Sequence, residues 1–148
     1  MVSVGNGALI GGIGRVLKER SRQTQVIGVA AKEAPVMALS FQARRVVPCD
    51  RMATFADGLA VRVAIPRAVE ILNSAVDRFV LVSEREIARA VAAYDAAGIR
   101  AEGAAAAALA ALWQEAPASG PIVLIVTGRN IDEELFQRAC TDPNSFPG

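Results

Sequence analysis

Val2-Ser3-Val4-Gly5-Asn6-Gly7-Ala8-Leu9-Ile10 is the stretch on which the reading of the fold turns. A short apolar strand, Val2 to Val4, runs into a Gly-x-Gly turn, and a helical pattern starts at once. Ile10, Ile13 and Leu17 recur at spacings of three and four and so share one helix face, with Arg15, Lys18, Glu19 and Arg22 mostly off it. The next apolar run, Val26-Ile27-Gly28-Val29-Ala30, predicts a buried strand. Pro35 suits the first turn of a helix that continues through Met37, Leu39 and Phe41. The opening forty residues therefore read β-α-β-α. That order predicts an α/β fold: an open, mostly parallel sheet with helices on both faces, Rossmann-like and three-layered.

Working outward, residues 44–64 predict a long loop, punctuated by Arg44-Arg45, Pro48, Asp50 and Asp57-Gly58. Pro66 opens a helix with Val69, Leu72 and Val76 on one face, and Phe79 to Val82 predicts a strand. Ser83 with Glu86 has the spacing of a capping box, ahead of an apolar stripe of Ile87, Ala90, Val91 and Tyr94. Glu102-Gly103 opens an alanine-rich helix ending near Trp113, whose small side chains allow close packing on more than one side. Pro121-Ile122-Val123-Leu124-Ile125-Val126 is the clearest strand signal of all, and Thr127-Gly128-Arg129-Asn130 is the turn after it. A last helix runs from about Asp132 to Ala139. We expect one α/β domain over residues 1–140 and a polar tail over 141–148.

Composition narrows the function. The chain has 148 residues, 53% hydrophobic and 21% charged, enough for one domain with a real core and too apolar for disorder. Lys and Arg number 16 against 15 Asp and Glu, so no basic surplus points to nucleic acid or to an anionic membrane. Histidine is absent, which removes His-based triads and His metal ligands. Two cysteines, Cys49 and Cys140, cannot make a zinc site. They read as reduced thiols in a cytoplasmic protein, with a single disulfide left open. The start lacks the basic segment of an export signal. The longest stretch without a polar side chain, Gly103 to Trp113, is too short to span a bilayer. We expect no membrane or nucleic-acid partner and no metal site.

Two turns carry the chemistry. In Gly5-Asn6-Gly7-Ala8 the glycines permit a tight bend and close approach to a ligand. The free amides of the helix start then face an anion, with a phosphate-bearing small molecule the natural partner. A plain strand–helix turn accounts for the same residues equally well. A dinucleotide site would use Gly5, Gly7 and Gly11 together with an acid at the end of the second strand. Ala30-Ala31 stands there and Glu33 lies in the next loop, so a nicotinamide cofactor is disfavoured. Thr127-Gly128-Arg129-Asn130 follows the last strand, and ligands in open α/β sheets sit beyond strand carboxyl ends. If the two strands are neighbours, both turns face one crevice and Thr127 offers a hydroxyl there. An ordinary β–α turn is the alternative. Glu102 at a helix start also suits the helix dipole, and Asp57-Gly58 is a common turn pair.

Together these stretches resemble the carboxyl-terminal part of the pyridoxal-phosphate enzymes of the tryptophan-synthase-β fold type, closest to threonine/serine dehydratases. Val4 to Ile10 resembles the family's glycine-rich phosphate loop, and Val26 to Val29 its following strand. Thr54-Phe55-Ala56-Asp57-Gly58-Leu59 resembles its Thr-Ile-Ala-Asp-Gly segment. Val80-Leu81-Val82-Ser83, followed by Glu86-Ile87, resembles its Val-Ser-x-x-Glu-Ile stretch. Ala101-Glu102-Gly103-Ala104 resembles its Val-Glu-Gly/Pro-Ala helix start, and Val126 to Ile131 its Ser-Gly-Gly-Asn turn. The six stretches come in the family's order and cover residues 2 to 132.

The resemblance implies pyridoxal phosphate as cofactor. It implies that Gly5, Asn6, Gly7 and Ala8 give amides to its phosphate, that Thr127 bonds the pyridine nitrogen, that Gly58 lines the ring and that Glu102 approaches from its helix start. A neutral hydroxyl at the pyridine nitrogen fits the family's β-elimination chemistry. There are departures. Asn6 and Ala8 replace two glycines of the loop. Ala30 stands where some relatives carry an acidic cation ligand. The family's cofactor-binding lysine lies in an amino-terminal half that these residues do not include; Lys18 and Lys32 are the lysines present, and neither stands in its motif. No catalytic residue is assigned within the chain. We therefore expect a dehydratase-like lyase region inactive by itself, forming a homodimer or completed by the missing amino-terminal half, since half of a composite fold leaves apolar surface uncovered. The alternative is a stand-alone, self-associating domain that binds a small anion without enzymatic activity.

Overall fold

Short, mostly apolar runs form the centre of the molecule, where strands covered on both faces need no polar alternation. The computed structural model describes residues 1–115 and 120–148. Strands β1 (Val2–Ser3), β2 (Ile27–Ala31) and β3 (Arg78–Val82) form a parallel sheet in the order β1-β2-β3. Val2 pairs with Gly28 and Ser3 with Val29, while Ile27 to Ala31 pair in step with Arg78 to Val82. Parallel neighbours require crossovers, and the helices between the strands provide them: α1 (Ala8–Arg20) between β1 and β2, and α2 (Val36–Ala43) and α3 (Pro66–Ala75) between β2 and β3. Helices α4 (Glu84–Ala96), α5 (Gly103–Gln114) and α6 (Glu133–Thr141) follow.

Alternation along the strands sorts side chains into two cores, as the expected three layers require. Val2 and Val4 point to the face covered by α1, α2 and α3, where Ile10, Met37, Val69 and Leu72 are buried. Ile27, Val29, Ala31, Val80 and Val82 point the other way, onto α4, α5 and α6. Ala104 to Ala108, Ala110 and Ala111 are all buried. Methyl-sized side chains let α5 lie close both to the sheet and to α4. Ser83 and Glu86 form the expected capping box at the start of α4, and Pro66 opens α3.

Two segments differ from expectation. The clearest strand signal, 121–126, is not a strand. The Met1 ammonium donates to the Val123 carbonyl at 2.7 Å and the Ile125 amide to the Met1 carbonyl at 3.2 Å. These two bonds flank Leu124 as a single parallel bridge would, and no further ladder forms among the described residues. Ile122, Val123 and Val126 stay exposed. An all-apolar run is built to be covered on both faces, and the described residues leave these three side chains accessible. The second segment is 141–148. Its one aromatic residue, Phe146, is buried against Phe55 with ring centroids 4.7 Å apart. The Arg85 amide donates to the Pro147 carbonyl at 2.8 Å, so this stretch docks on the start of α4.

Candidate functional site

The turn after β1 must pass within van der Waals distance of another backbone. A Cβ on Gly5 would collide with the Gly58 carbonyl, and Gly7 takes the left-handed region at φ +89°, which favours glycine. That geometry brings the chain round to start α1 with no side chain capping Gly7. The Ala8 amide is taken by Asn6 Oδ1 at 3.0 Å. Among the described residues the amides of Gly5, Asn6, Gly7 and Leu9 donate to no protein acceptor. They sit at the positive end of a 13-residue helix.

Three other elements close a crevice of about 300 Å³ in front of them. The 3-10 turn Asp57–Leu59 brings Gly58, which a Cβ would drive to 2.8 Å from Ala104 Cβ. The start of α5 brings Glu102. The turn after residue 126 brings Thr127. All seven expected site residues, Gly5, Asn6, Gly7, Ala8, Gly58, Glu102 and Thr127, line this one crevice. Its size lies at the lower end of the range for small-ligand sites.

Glu102 locks two of the walls together. Its amide donates to the Gly128 carbonyl at 3.1 Å, and its Oε2 accepts from the Asn130 amide at 3.0 Å. A Cβ on Gly128 would collide with that carboxylate. Glu102 is therefore committed to holding the Thr127–Asn130 turn, a use that its place at a helix start does not by itself predict.

The lining also includes Ser3, Leu9, Leu59, Val61 and Ala104, none of them singled out from the sequence. Ser3 is the polar residue between buried Val2 and Val4, and a polar residue in a buried strand is the signal that points to it. Its hydroxyl is buried without a partner. Neither lysine lines the crevice. Lys18 Nζ donates to both oxygens of Asp77, at 2.7 and 2.6 Å, and Lys32 Nζ lies 3.8 Å from Glu86.

The model of the family described as pyridoxal-phosphate dependent enzyme matches residues 1–128. The chain is 33% identical over 140 residues to an L-threonine ammonia-lyase of Thermotoga maritima, covering 93% of this chain and 35% of that protein. It is 36% identical over 135 residues to an L-threonine ammonia-lyase of Geobacter sulfurreducens, covering 89% and 34%. The processed form of threonine deaminase isoform 2 from Solanum lycopersicum superposes with a TM-score of 0.86 at 28% identity, over 96% of this chain and 43% of that one. The chain thus spans about a third of the length of the curated relatives it matches. It belongs to the family of pyridoxal-phosphate dependent enzymes, where it corresponds to a carboxyl-terminal portion of a threonine dehydratase-like member.

Proposed function

We propose that this chain supplies the phosphate- and ring-holding part of a pyridoxal-phosphate dependent, threonine/serine dehydratase-like lyase. The observation that carries the reading is the crevice itself: a helix start with unpartnered amides in one lining with the Thr127 hydroxyl, where the acidic side chain, Glu102, is bonded to the Asn130 amide. The donor set fits a phosphate monoester, since oriented amides and a helix dipole stabilise an anion without a charged side chain. Gly5, Asn6, Gly7 and Ala8 form the turn around the phosphate. Thr127 gives its hydroxyl to the ring nitrogen, Gly58 lines the ring face, and Glu102 fixes the Thr127 turn. When bound, the cofactor supplies an electron sink for the bond-breaking step; the residues of this chain bind and orient it.

No amine in the lining can hold the cofactor covalently, so the lysine comes from outside these 148 residues. By itself the chain then leaves threonine and serine unchanged. Its exposed apolar residues, Val63, Ile65, Ile122 and Val123 among them, support burial against that missing half, or against a second copy in a homodimer. The free Cys49 and Cys140 fit a reducing cytoplasm, and no helix among the described residues is long and apolar enough to cross a membrane.

The test is to titrate the purified chain with pyridoxal 5′-phosphate and assay ammonia release from L-threonine. The assay is run with and without a separately expressed amino-terminal half of the Geobacter relative, and sedimentation runs in parallel. Binding alone, with activity on mixing, is the expected result. Activity of the unmixed chain would overturn the claim about the lysine. Phosphate binding with neither cofactor selectivity nor complementation would favour a stand-alone small-anion-binding domain.

A further inference from the structure

Glu84 is the most deeply buried charged residue outside the crevice lining, at 3% exposure. It occupies the first position of α4, where negative charge suits the helix dipole, but an exposed carboxylate would serve the dipole equally and Glu86 already completes the cap. The Glu84 carboxylate turns away from its own helix. Its Oε2 accepts from the Phe55 amide at 2.8 Å and from the Thr54 hydroxyl at 3.1 Å. Thr54 Oγ1 in turn accepts from the Ala56 amide at 3.1 Å. The next links run straight to the crevice: the Ala56 carbonyl accepts from Leu59 at 2.8 Å, and Gly58 between them abuts Gly5 and lines the site. Oε1 is buried with no partner. Burial, with Glu33 nearby, raises the carboxyl pKa against the bonds from Phe55 and Thr54. Leaving a buried carboxyl half-satisfied is unfavourable, so the clamp on residues 54–56 is the arrangement that needs explaining.

We propose that Glu84 is a positioning residue for the crevice, clamping residues 54–56 so that Gly58 meets the Gly5 turn and sets the width of the anion cradle. This deepens the reading of the crevice as a phosphate site and rests on it only for its binding arm. The test compares wild type with Glu84→Ala, Glu84→Gln and Val91→Ala, the last a core truncation on the same helix that touches none of these bonds.

The ligand-free arm is amide hydrogen exchange at residues 55–59. The binding arm is inorganic phosphate titration followed at the amides of residues 5–9. Glu84→Ala should speed exchange at 55–59 and weaken phosphate binding, each by about tenfold, the loss expected of a hydrogen bond to a charged group. Glu84→Gln keeps an oxygen that accepts both bonds and should stay within about threefold of wild type in both arms. Val91→Ala should lower the unfolding temperature while sparing both readouts.

If Glu84→Ala does not fold, Thr54→Val removes the hydroxyl between Glu84 and Ala56 and should give the same pattern at lower amplitude. Wild-type exchange at 55–59 in Glu84→Ala or Thr54→Val, or equal loosening in Val91→Ala, would overturn the clamp. So would phosphate affinity that ignores a loosened wall. If wild type binds no phosphate, the anion reading fails, and the exchange arm still decides whether Glu84 holds the wall.

Discussion

Gly5→Ala places one methyl group where the Gly58 carbonyl already stands. The obstacle is a backbone oxygen in a turn pinned by Ala56 and Leu59, so no rotamer change relieves it. Overpacking of this kind costs about 1–3 kcal/mol. The same substitution at Gly12 meets nothing within 4 Å on the exposed side of α1 and should gain about 1 kcal/mol in helix propensity. The two single-methyl variants should thus separate by about 2–4 kcal/mol, roughly 4–16 °C in unfolding temperature for a chain of this length. Urea unfolding followed by circular dichroism measures the gap, with a common m-value as the check that both unfold alike. Gly5→Ala should also lose phosphate affinity, because relief of the clash moves the turn that carries the amides, while Gly12→Ala keeps it. A Gly5→Ala protein with the wild-type urea midpoint and wild-type binding would refute the claim that the Gly5–Gly58 approach shapes the crevice.

Thr127→Val should weaken pyridoxal 5′-phosphate binding by about threefold to tenfold, the worth of one neutral hydrogen bond, with an unchanged urea midpoint because Thr127 is exposed. Glu84 has a raised pKa, chiefly through burial, so as pH rises the native state releases its proton later than the unfolded chain does. Its contribution to stability is present at low pH and declines as pH rises from the usual glutamate range through the raised value; Glu84→Gln should flatten that decline in urea midpoints taken across pH. Asp77 runs the opposite way. Burial pushes its pKa up, but the bonds from Lys18 and the Val26 amide outweigh this and lower it, so its contribution holds above the usual aspartate range and is lost as pH falls; Asp77→Asn should flatten the acid limb. Borohydride treatment of the chain with pyridoxal 5′-phosphate should label Lys18 and Lys32 no more than exposed amines react without a site, so that competing inorganic phosphate leaves their labelling unchanged by mass spectrometry.

Where local chemistry dictates structure, the sequence was readable. The Ser83–Glu86 box pairs backbone groups within a few residues, Pro66 brings no amide that needs a partner to its helix start, and the glycines at 5 and 7 permit their bend; each stands as expected. The crevice was readable because the turn after β1 and the turn after residue 126 leave adjacent backbone segments, which gathers Gly7 and Thr127 although they lie 120 positions apart. Contacts between distant residues were not readable. Nothing near Glu84 announces a bond to Phe55, 29 residues away, and nothing in 141–148 except a lone aromatic announces that Phe146 is buried. The 121–126 segment shows the opposite limit. Its hydrophobicity registers a need for neighbours on two sides, and among the described residues only Met1 bonds to its backbone.

We propose above all that the turn after β1 cradles a phosphate. Amide chemical shifts recorded during titration with inorganic phosphate and then with pyridoxal 5′-phosphate test it directly. Saturable shifts concentrated at Gly5, Asn6, Gly7 and Leu9 are expected, with Thr127 and Gly58 joining only for the complete cofactor. Shifts absent from that turn, or centred on another part of the surface, would contradict it.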